Sequence, residues 1–398
     1  MKTILLIGAG MDAPDSVRRI NDQNIRVVFI QKNALYSELQ GKGAECVILT
    51  DYEAADFLRL ADTLHAFWNF DAVLSLTEAG VEVAAKLNQA WKIAWTSVDT
   101  VTRLKDKYAM RMTLNNAGVS EVNCALCNTE SDLINFADRN GFPFILKPVD
   151  GAGSENVVKV DSTDKLNGLI DAWRDKRFTA IAESWINGQE YSVETLSFAG
   201  EHYIVNITEK HVDDNFVEIG HIIPARIDCK LDEKIRLFVL DFLQLMRVTD
   251  GPCHTEIKVD GDVIKVIESH NRIGGDYIGL AIQQVYQLDM IALTARWACY
   301  RELPQLDTIN NHGCAVVQFF QFPAGRISLL SGVEELKKQA SSRLIDFSFK
   351  YGIGDTIVTT SGNSSRAGHF MLSGNDATDT LVDSHRLKSF VRVSFTHP

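Results

Sequence analysis

Over its first hundred residues the chain alternates short apolar runs with longer stretches of helical periodicity. Thr3 to Ile7 is an apolar run closed by Gly8-Ala9-Gly10, and a helical pattern follows from about Pro14 to Asn21. Arg26 to Ile30 and Ala72 to Leu76 repeat the apolar run, with helical stretches between them. Strands alternating with helices predict a parallel sheet with covering helices, a Rossmann-like arrangement. A second unit opens near Val98, where Asp99 is a candidate N-cap and Arg103 to Ala117 reads as one helix ended by Gly118. Short strands then crowd together: Phe144 to Pro148, Val157 to Val160, Ala180 to Ile186, and a hairpin turning at Asp260-Gly261. A helix is predicted over Tyr277 to Gln287. From about Gly313 the pattern shifts again, with apolar Cys314 to Phe320, a turn at Pro323-Ala324-Gly325, a helix from Gly332 to Gln339 and a last strand within Ser389 to Phe395. This tail reads as a small α+β domain. The fold class is therefore α/β and α+β.

Composition narrows the partners. A chain of 398 residues suits several packed units, and 45% hydrophobic with 23% charged residues is ordinary for globular domains. Its formal net charge of −12, with basic residues scattered singly, argues against a nucleic-acid partner. No apolar run approaches the about 18 residues of a membrane span. The start, Met1-Lys2-Thr3-Ile4, enters a strand pattern directly instead of a signal peptide. Seven irregularly spaced cysteines read as reduced thiols and set a cytoplasmic expectation. Cys124 and Cys127 form a lone C-x-x-C without a second pair, which reads as structural.

Gly8-Ala9-Gly10-Met11-Asp12-Ala13 nearly fits a dinucleotide fingerprint, yet Phe29-Ile30-Gln31-Lys32 places no acid at the end of the second strand. A Rossmann-like domain that binds no NAD is expected. Thr77-Glu78 and Gly80 follow a strand where such sheets place ligands, as a helix cap or as a substrate contact.

The chemistry concentrates further along. Glu268-Ser269-His270-Asn271-Arg272-Ile273-Gly274-Gly275-Asp276 follows Glu256 by twelve positions, putting two carboxylates and an arginine near the end of the predicted hairpin. Upstream stand Lys147 with the glycine-rich loop Val149 to Asn156, then Glu183 and Glu190. Acid ligands for a hard cation, lysines for phosphate and a glycine loop are what phosphoryl transfer from a nucleotide requires. The loop is a plain hairpin turn or a flap whose backbone N–H groups fold over phosphates. No Walker sequence is present.

Glu183-Ser184-Trp185-Ile186-Asn187-Gly188-Gln189-Glu190 resembles the adenine-and-ribose segment of the ATP-grasp superfamily. Leu104-Lys105-Asp106-Lys107, the Lys147 loop and the Glu256/Glu268 pair follow in that superfamily's order and spacing. The resemblance covers roughly residues 1–305, and the remainder is similar to the C-terminal domain of ATP-grasp amino-acid ligases. It implies an ATP-grasp fold: an N-terminal Rossmann-like (pre-ATP-grasp) domain at 1–97, an ATP-grasp domain at 98–308 and a C-terminal α+β domain at 309–398. The nucleotide-binding small lobe would span about 120–186.

Residue by residue, the resemblance implies that Lys107 and Lys147 bind nucleotide phosphates beneath a flap carrying Gly151, Gly153 and Ser154. Glu183 and the chain through Ser184, Trp185 and Ile186 would meet adenine, and Glu190 the ribose hydroxyls. Glu256 and Glu268 would hold two Mg²⁺ ions, with Mn²⁺ as an alternative. Arg272 would stabilise an acyl-phosphate, making Arg272, Glu268 and Lys147 the catalytic set. His270 stands where an asparagine is usual. It could ligate metal, hydrogen-bond beside it, or leave the missing oxygen to Asn271. Asn156 replaces a common glycine in the flap, and asparagine tolerates the left-handed backbone needed there.

The hairpin offers a local check. A two-residue turn at Asp260-Gly261 pairs Val259 with Asp262 and sends Glu256 and Glu268 to opposite faces. A shared metal site needs a bulge, which is predicted at Gly261.

Glu218-Ile219-Gly220-His221 resembles the segment that amino-acid ligases of this superfamily set against the first substrate; a surface location is the alternative. Glu218 would take the substrate ammonium, with His221, Arg272, Gly274, Gly275 and Asp276 around it. Asp276 either favours a cationic side chain such as that of arginine, or caps the following helix. His369 and Arg366 fall in polar stretches and are expected at the surface. The resemblance implies an ATP-dependent carboxylate–amine ligase that joins L-amino acids through an acyl-phosphate, giving ADP and phosphate. Small-molecule amino acids are its expected partners, without nucleic acid or membrane, and a homodimer is compatible with it. The rivals are an ATP-grasp ligase or carboxylase acting on another carboxylate, and a nucleotide-binding protein without turnover.

Overall fold

The computed structural model describes residues 1–151, 153–173, 179–306, 309–360 and 362–396. Ala152, in the glycine-rich loop, and residue 308, at a predicted boundary, lie outside the described residues.

The N-terminal strands are β1 (Lys2–Ile7), β2 (Ile25–Gln31), β3 (Cys46–Leu49) and β4 (Ala72–Leu74). They form a parallel sheet in the order β3-β2-β1-β4, as the alternating pattern predicted. The strands are apolar on both faces because helices cover both. Gln31, where a dinucleotide-binding acid would stand, is buried and its amide donates to Ala9 O at 3.2 Å.

The small lobe holds β5 (Cys124–Cys127), β6 (Phe144–Pro148), β7 (Val158–Val160) and β8 (Ala180–Ser184) in the order β5-β8-β6-β7. The single helix expected from Arg103 is two, Val98–Lys105 and Lys107–Asn116, and their caps are Ser97 and Asp106, not Asp99. Asp106 takes an extended backbone and accepts from the Tyr108 and Ala109 N–H groups at 2.9 Å. This break sets Lys107 at the start of the second helix, with its N–H donating to Val149 O at 2.8 Å.

The large lobe adds β9 (Gln189–Phe198), β10 (Glu201–Val212), β11 (Glu218–Ile223), β12 (Gly251–Asp260) and β13 (Val263–His270). The C-terminal region supplies β14 (Cys314–Phe320), β15 (Gly325–Ser331), β16 (Leu344–Phe349), β17 (Thr356–Ile357), β18 (Gly368–Gly374) and β19 (Arg392–Phe395). Eight of these strands form one sheet, β13-β12-β9-β10-β11-β14-β18-β16, so the C-terminal region extends the central sheet. A separate small sheet runs β17-β15-β19.

The two faces of the central sheet differ sharply. On one, Tyr191, Val193, Ile207, Ile257 and Val266 pack against Ile235, Val239 and Phe242 of the helix Cys229–Met246. That burial removes apolar surface from water and anchors the sheet. The other face is divided: Leu196, Phe198, Ile223, Val317 and Phe319 pack against the helices Ile278–Tyr286 and Met290–Tyr300, and the remainder is polar. Among the described residues no helix is long and apolar enough to cross a membrane. All seven cysteines are free thiols.

Candidate active site

The polar part of the second face is built by register. His254, Glu256 and Lys258 of β12 lie beside Glu194, Ser192 and Glu190 of β9, while His254 and Glu256 also pair with His270 and Glu268 of β13. The predicted bulge at Gly261 is corrected. Asp260 pairs with Val263 across a regular two-residue turn, Gly261-Asp262, with Gly261 at φ +58°. The irregularity lies deeper, where Ile257 pairs with Val266 but Glu256 pairs with Glu268. Ile267 is the extra residue. It restores what the turn alone would break, so the two glutamates share one face.

At the nucleotide end an open cleft of about 780 Å³ lies between the lobes, walled by Ile145, Val157, Phe216 and Ile267. Lys107, Lys147, Gly151, Ser154, Glu183, Ser184, Trp185, Ile186, Glu190, Glu256 and Glu268 line it too, which brings together nearly all of the predicted nucleotide set. Gly153 stands on the neighbouring cavity. Glu183 is buried between Lys147 Nζ at 2.7 Å and Arg111 Nε at 2.6 Å. Burial alone would raise its carboxyl, but the two cations outweigh that and hold it below the usual range. The ammonium groups of Lys159 and Lys258 stand 4.1 and 4.6 Å from the Trp185 ring centroid. In the flap, Gly153, Ser154 and Asn156 all take positive φ (+67°, +60° and +59°), so Asn156 adopts the left-handed backbone expected of it.

The centre of the site is an alternation of acids and bases. Lys107 Nζ lies 3.0 Å from Glu268 and also donates to Gly151 O, tying the flap to that carboxylate. Lys210 is fully buried, donates to Glu256, and lies 2.9 Å from Glu218 and 3.4 Å from Glu190. Burial disfavours its charge, yet these three acids keep it protonated, well above its ordinary value. His254 bridges Glu194 at 2.7 Å and Glu256 at 3.1 Å. Burial would lower its pKa; the two acids prevail and lift it to about 10, so the ring is cationic at neutral pH. His270 makes the matching bridge, 3.1 Å from Glu268 and 2.7 Å from Glu78. Asn271 points the opposite way, donating to Asp250 O at 3.2 Å and Pro252 O at 3.0 Å.

Glu78 holds Arg272 Nε at 3.0 Å. Burial pushes the Glu78 carboxyl upward, but His270 and Arg272 hold it at about 2. Thr77 is at the N-cap of the helix Glu78–Ala90, the cap alternative of the sequence reading, and Glu78 beside it holds protein cations. Gly274 is required by close approach, since a Cβ there would meet Glu194 Oε2 at 2.9 Å and His254 Nδ1 at 2.8 Å.

At the other end of the site, donor atoms of Glu218, His221 and Asp276 lie within 4.8 Å of one another. His221 Nε2 stands 2.9 Å from Glu218, itself held well below its ordinary value, against its burial, by Lys210 and His221. Asp276 caps no helix. The following helix is Ile278–Tyr286 with Tyr277 at its N-cap, and the Asp276 carboxylate turns toward Arg366. The surface expectation for Arg366 and His369 is also corrected: both are buried, and His369 lies on β18 stacked on Tyr277 with ring centroids 3.7 Å apart. Two cavities meet at Arg272 and Gly275. One is polar and holds Glu218, Glu256, Glu268 and Asp276; the other, against the N-terminal domain, is walled by Leu76, Leu280, Met290 and Ile291.

Sequence reasoning passed over Arg111, Lys210 and His254, and it pointed to Glu78 and Arg366 without their partners; each completes an ionic contact in the site. The one signal available was a polar residue at every second position of a strand, as in Asn206, Thr208 and Lys210. For metal, two partly buried carboxylates on one face with ammonium groups already against them make a hard-oxygen donor set that fits Mg²⁺.

Residues 140–279 match the family model described as ATP-grasp domain. Over 377 residues the chain is 25% identical to the L-arginine-specific L-amino acid ligase of Bacillus subtilis, covering 90% of this chain and 89% of that protein. Over 255 residues it is 26% identical to the alanine–anticapsin ligase of Bacillus subtilis strain 168, covering 58% of this chain and 54% of that one. Its fold superposes on the crystal structure of L-amino acid ligase from Bacillus licheniformis with a TM-score of 0.86 at 20% identity, over 100% of this chain and 99% of that one. A carboxyaminoimidazole ribonucleotide synthase solved with ATP gives a TM-score of 0.78 at 16% identity, covering 98% of each chain. At such identities these likenesses speak for the fold.

Proposed function

We propose that the chain, whose residues 140–279 match the ATP-grasp domain family, is an ATP-dependent ligase that joins the carboxylate of one L-amino acid to the amine of another. The observation that carries this reading is the buried Glu218–His221–Asp276 group, set one cavity wall from Arg272 and the paired glutamates. An ammonium-binding acid beside a phosphoryl-transfer centre suits an amino acid whose carboxylate is to be activated.

In this reading Lys107 and Lys147 neutralise nucleotide phosphates, and the flap from Gly151 to Ser154 covers them. Glu183, fixed by Arg111, and the strand end at Ser184 meet the adenine edge; Glu190 accepts from the ribose. Glu256 and Glu268 would hold Mg²⁺, which when bound offsets phosphate charge. Glu218 orients the first amino acid by its ammonium, so that its carboxylate oxygen faces the γ-phosphoryl group. Arg272, braced by Glu78, stabilises the charge of the acyl-phosphate. The amine of the second amino acid enters from the apolar cavity beyond Gly275 and attacks the acyl carbon. Phosphate then leaves. Closure of the flap against the C-terminal region keeps water from the acyl-phosphate.

The finer expectation of a cationic first substrate rests on Asp276 and on similarity to an arginine-specific ligase. Asp276 already has a guanidinium partner in this chain. The test is phosphate release from Mg-ATP across single and paired L-amino acids, with product masses. Release with particular amino acids and a mass equal to their condensed pair supports the ligase. Silence across the panel while ATP still binds moves the reading to another carboxylate. Arg272→Ala is expected to abolish product while nucleotide binding persists; loss of both together would make Arg272 structural.

A further inference from the structure

Asp276 sits on the wall of the polar cavity with both carboxylate oxygens engaged from behind. Oδ1 accepts from Arg366 Nη2, and Oδ2 accepts from Asn363 Nδ2 at 3.2 Å. Arg366 is itself fully committed. Its Nε donates to Asn363 O at 2.7 Å, its Nη1 donates to Glu218 O at 3.2 Å, and its guanidinium lies 3.6 Å from the Phe319 ring centroid. Its side chain is only 7% exposed. Asn363 adds a second tie, accepting from the Glu218 N–H at 3.0 Å through Oδ1. One short C-terminal loop therefore grips both acids of the amino-acid end.

We infer that Arg366 is a resident counter-ion that withholds Asp276 from the substrate and thereby sets side-chain selectivity at the first amino-acid subsite. This rests on the ligase reading. Asp276 gains little from a second cation, because Arg366 is paired with it and its lone pairs are already used. Glu218, by contrast, shares the single charge of Lys210 with Glu190 and Glu256. A substrate guanidinium or ammonium reaching this wall must also come up against the Arg366 charge in a dry environment, where like charges repel strongly. The consequence is a preference for neutral first amino acids. Removing Arg366 leaves an uncompensated buried carboxylate and a space shaped to a guanidinium, both of which recruit a cationic side chain.

The experiment compares wild type, Arg366→Ala and Arg366→Ala/Asp276→Asn by phosphate release from Mg-ATP with alanine, methionine, arginine and lysine. A thermal shift with a non-hydrolysable ATP analogue, run on the same panel, registers amino-acid binding independently of turnover. The wild type is expected to favour alanine or methionine. Arg366→Ala is expected to raise the arginine-to-alanine ratio of kcat/KM by roughly tenfold or more, the scale of one desolvated ion pair gained. Adding Asp276→Asn should cancel that gain, and millimolar guanidinium chloride should return Arg366→Ala toward the wild-type ratio. A wild type that already prefers arginine or lysine overturns the inference while leaving the ligase intact. So does an Arg366→Ala variant that binds nucleotide yet loses all four amino acids in equal proportion. No amino-acid response in either assay with wild type instead overturns the ligase reading beneath it. If Arg366→Ala does not fold, Arg366→Lys carries the same comparison: it frees part of the Asp276 carboxylate, and an unchanged ratio counts against the proposal.

Discussion

The Glu183 end and the Asp276 end of the site use the same ingredients, acids held by cations, but assemble them differently. Around Glu183 the acid serves Lys147, one lysine drawn from the neighbouring strand of the same small sheet, and Arg111 braces it from the adjoining helix. Around Arg272 and Asp276 the partners come from the extremes of the chain, Glu78 in the N-terminal domain and Arg366 in the C-terminal region. The first arrangement is local and self-contained within one lobe, whereas the second depends on the whole chain being folded around it.

The comparison can be broken most forcefully at the centre, where both ends meet. Glu268→Gln removes a carboxylate charge from the Glu256/Glu268 pair proposed to hold Mg²⁺ and is expected to lower kcat about a thousandfold for every amino acid alike. An uneven loss across amino acids would mean that the two ends are not separable. Next, Arg111→Leu leaves Glu183 and the Ser120 and Val266 carbonyls without their buried donor and should cost about 3–5 kcal/mol of stability. Urea unfolding measures it, and a change below about 1 kcal/mol would show that Lys147 alone suffices.

A smaller effect is expected from Glu78→Gln, which loosens Arg272 without touching the nucleotide. It should reduce kcat by roughly tenfold to a hundredfold at unchanged ATP affinity, as loss of an orienting partner usually does. A rise in the ATP dissociation constant would place Glu78 on the wrong side of the comparison. The smallest effect lies outside both ends. The Glu209 carboxyl, which burial would raise, is held at about 2 by His211 and Arg226, below its ordinary 4.5. Its contribution is therefore present above about 4.5 and is lost as pH falls toward 2. Arg226→Leu should lower stability slightly at pH 7 while leaving activity nearly unaltered, and its difference from wild type should shrink as pH falls toward 2, which urea unfolding at the two pH values would detect.

This contrast also explains what could be read from the chain. Lys147, Glu183, Glu190, Glu256 and Glu268 were legible because each sits in a local segment whose residue order carries its meaning, and the small-lobe strand Phe144–Pro148 was read to its ends. The pairings of Arg111, Glu78 and Arg366 were not legible, because the partners stand 72, 194 and 90 positions away and only the fold brings them together. Lys210 escaped for a different reason. A strand with polar alternate positions looks the same whether that face meets water or closes over a cleft, and periodicity reports only the alternation. The helix break at Asp106 was missed because both segments share one helical pattern, while the cap bonds that separate them depend on a single extended residue.

The extra residue at Ile267 has an arithmetic consequence. Across a regular two-residue turn, directly paired residues are always an odd number of positions apart, as Asp260 and Val263 are. Glu256 and Glu268 are separated by an even number, so their pairing obliges the ladder to slip once between them. The spacing of the two acids is thus a parity bit written into the sequence. An even count demands one slip and presents an additional side chain, here Ile267, to the nucleotide cleft. An odd count would keep the acids paired on an uninterrupted ladder and leave the cleft one wall residue poorer.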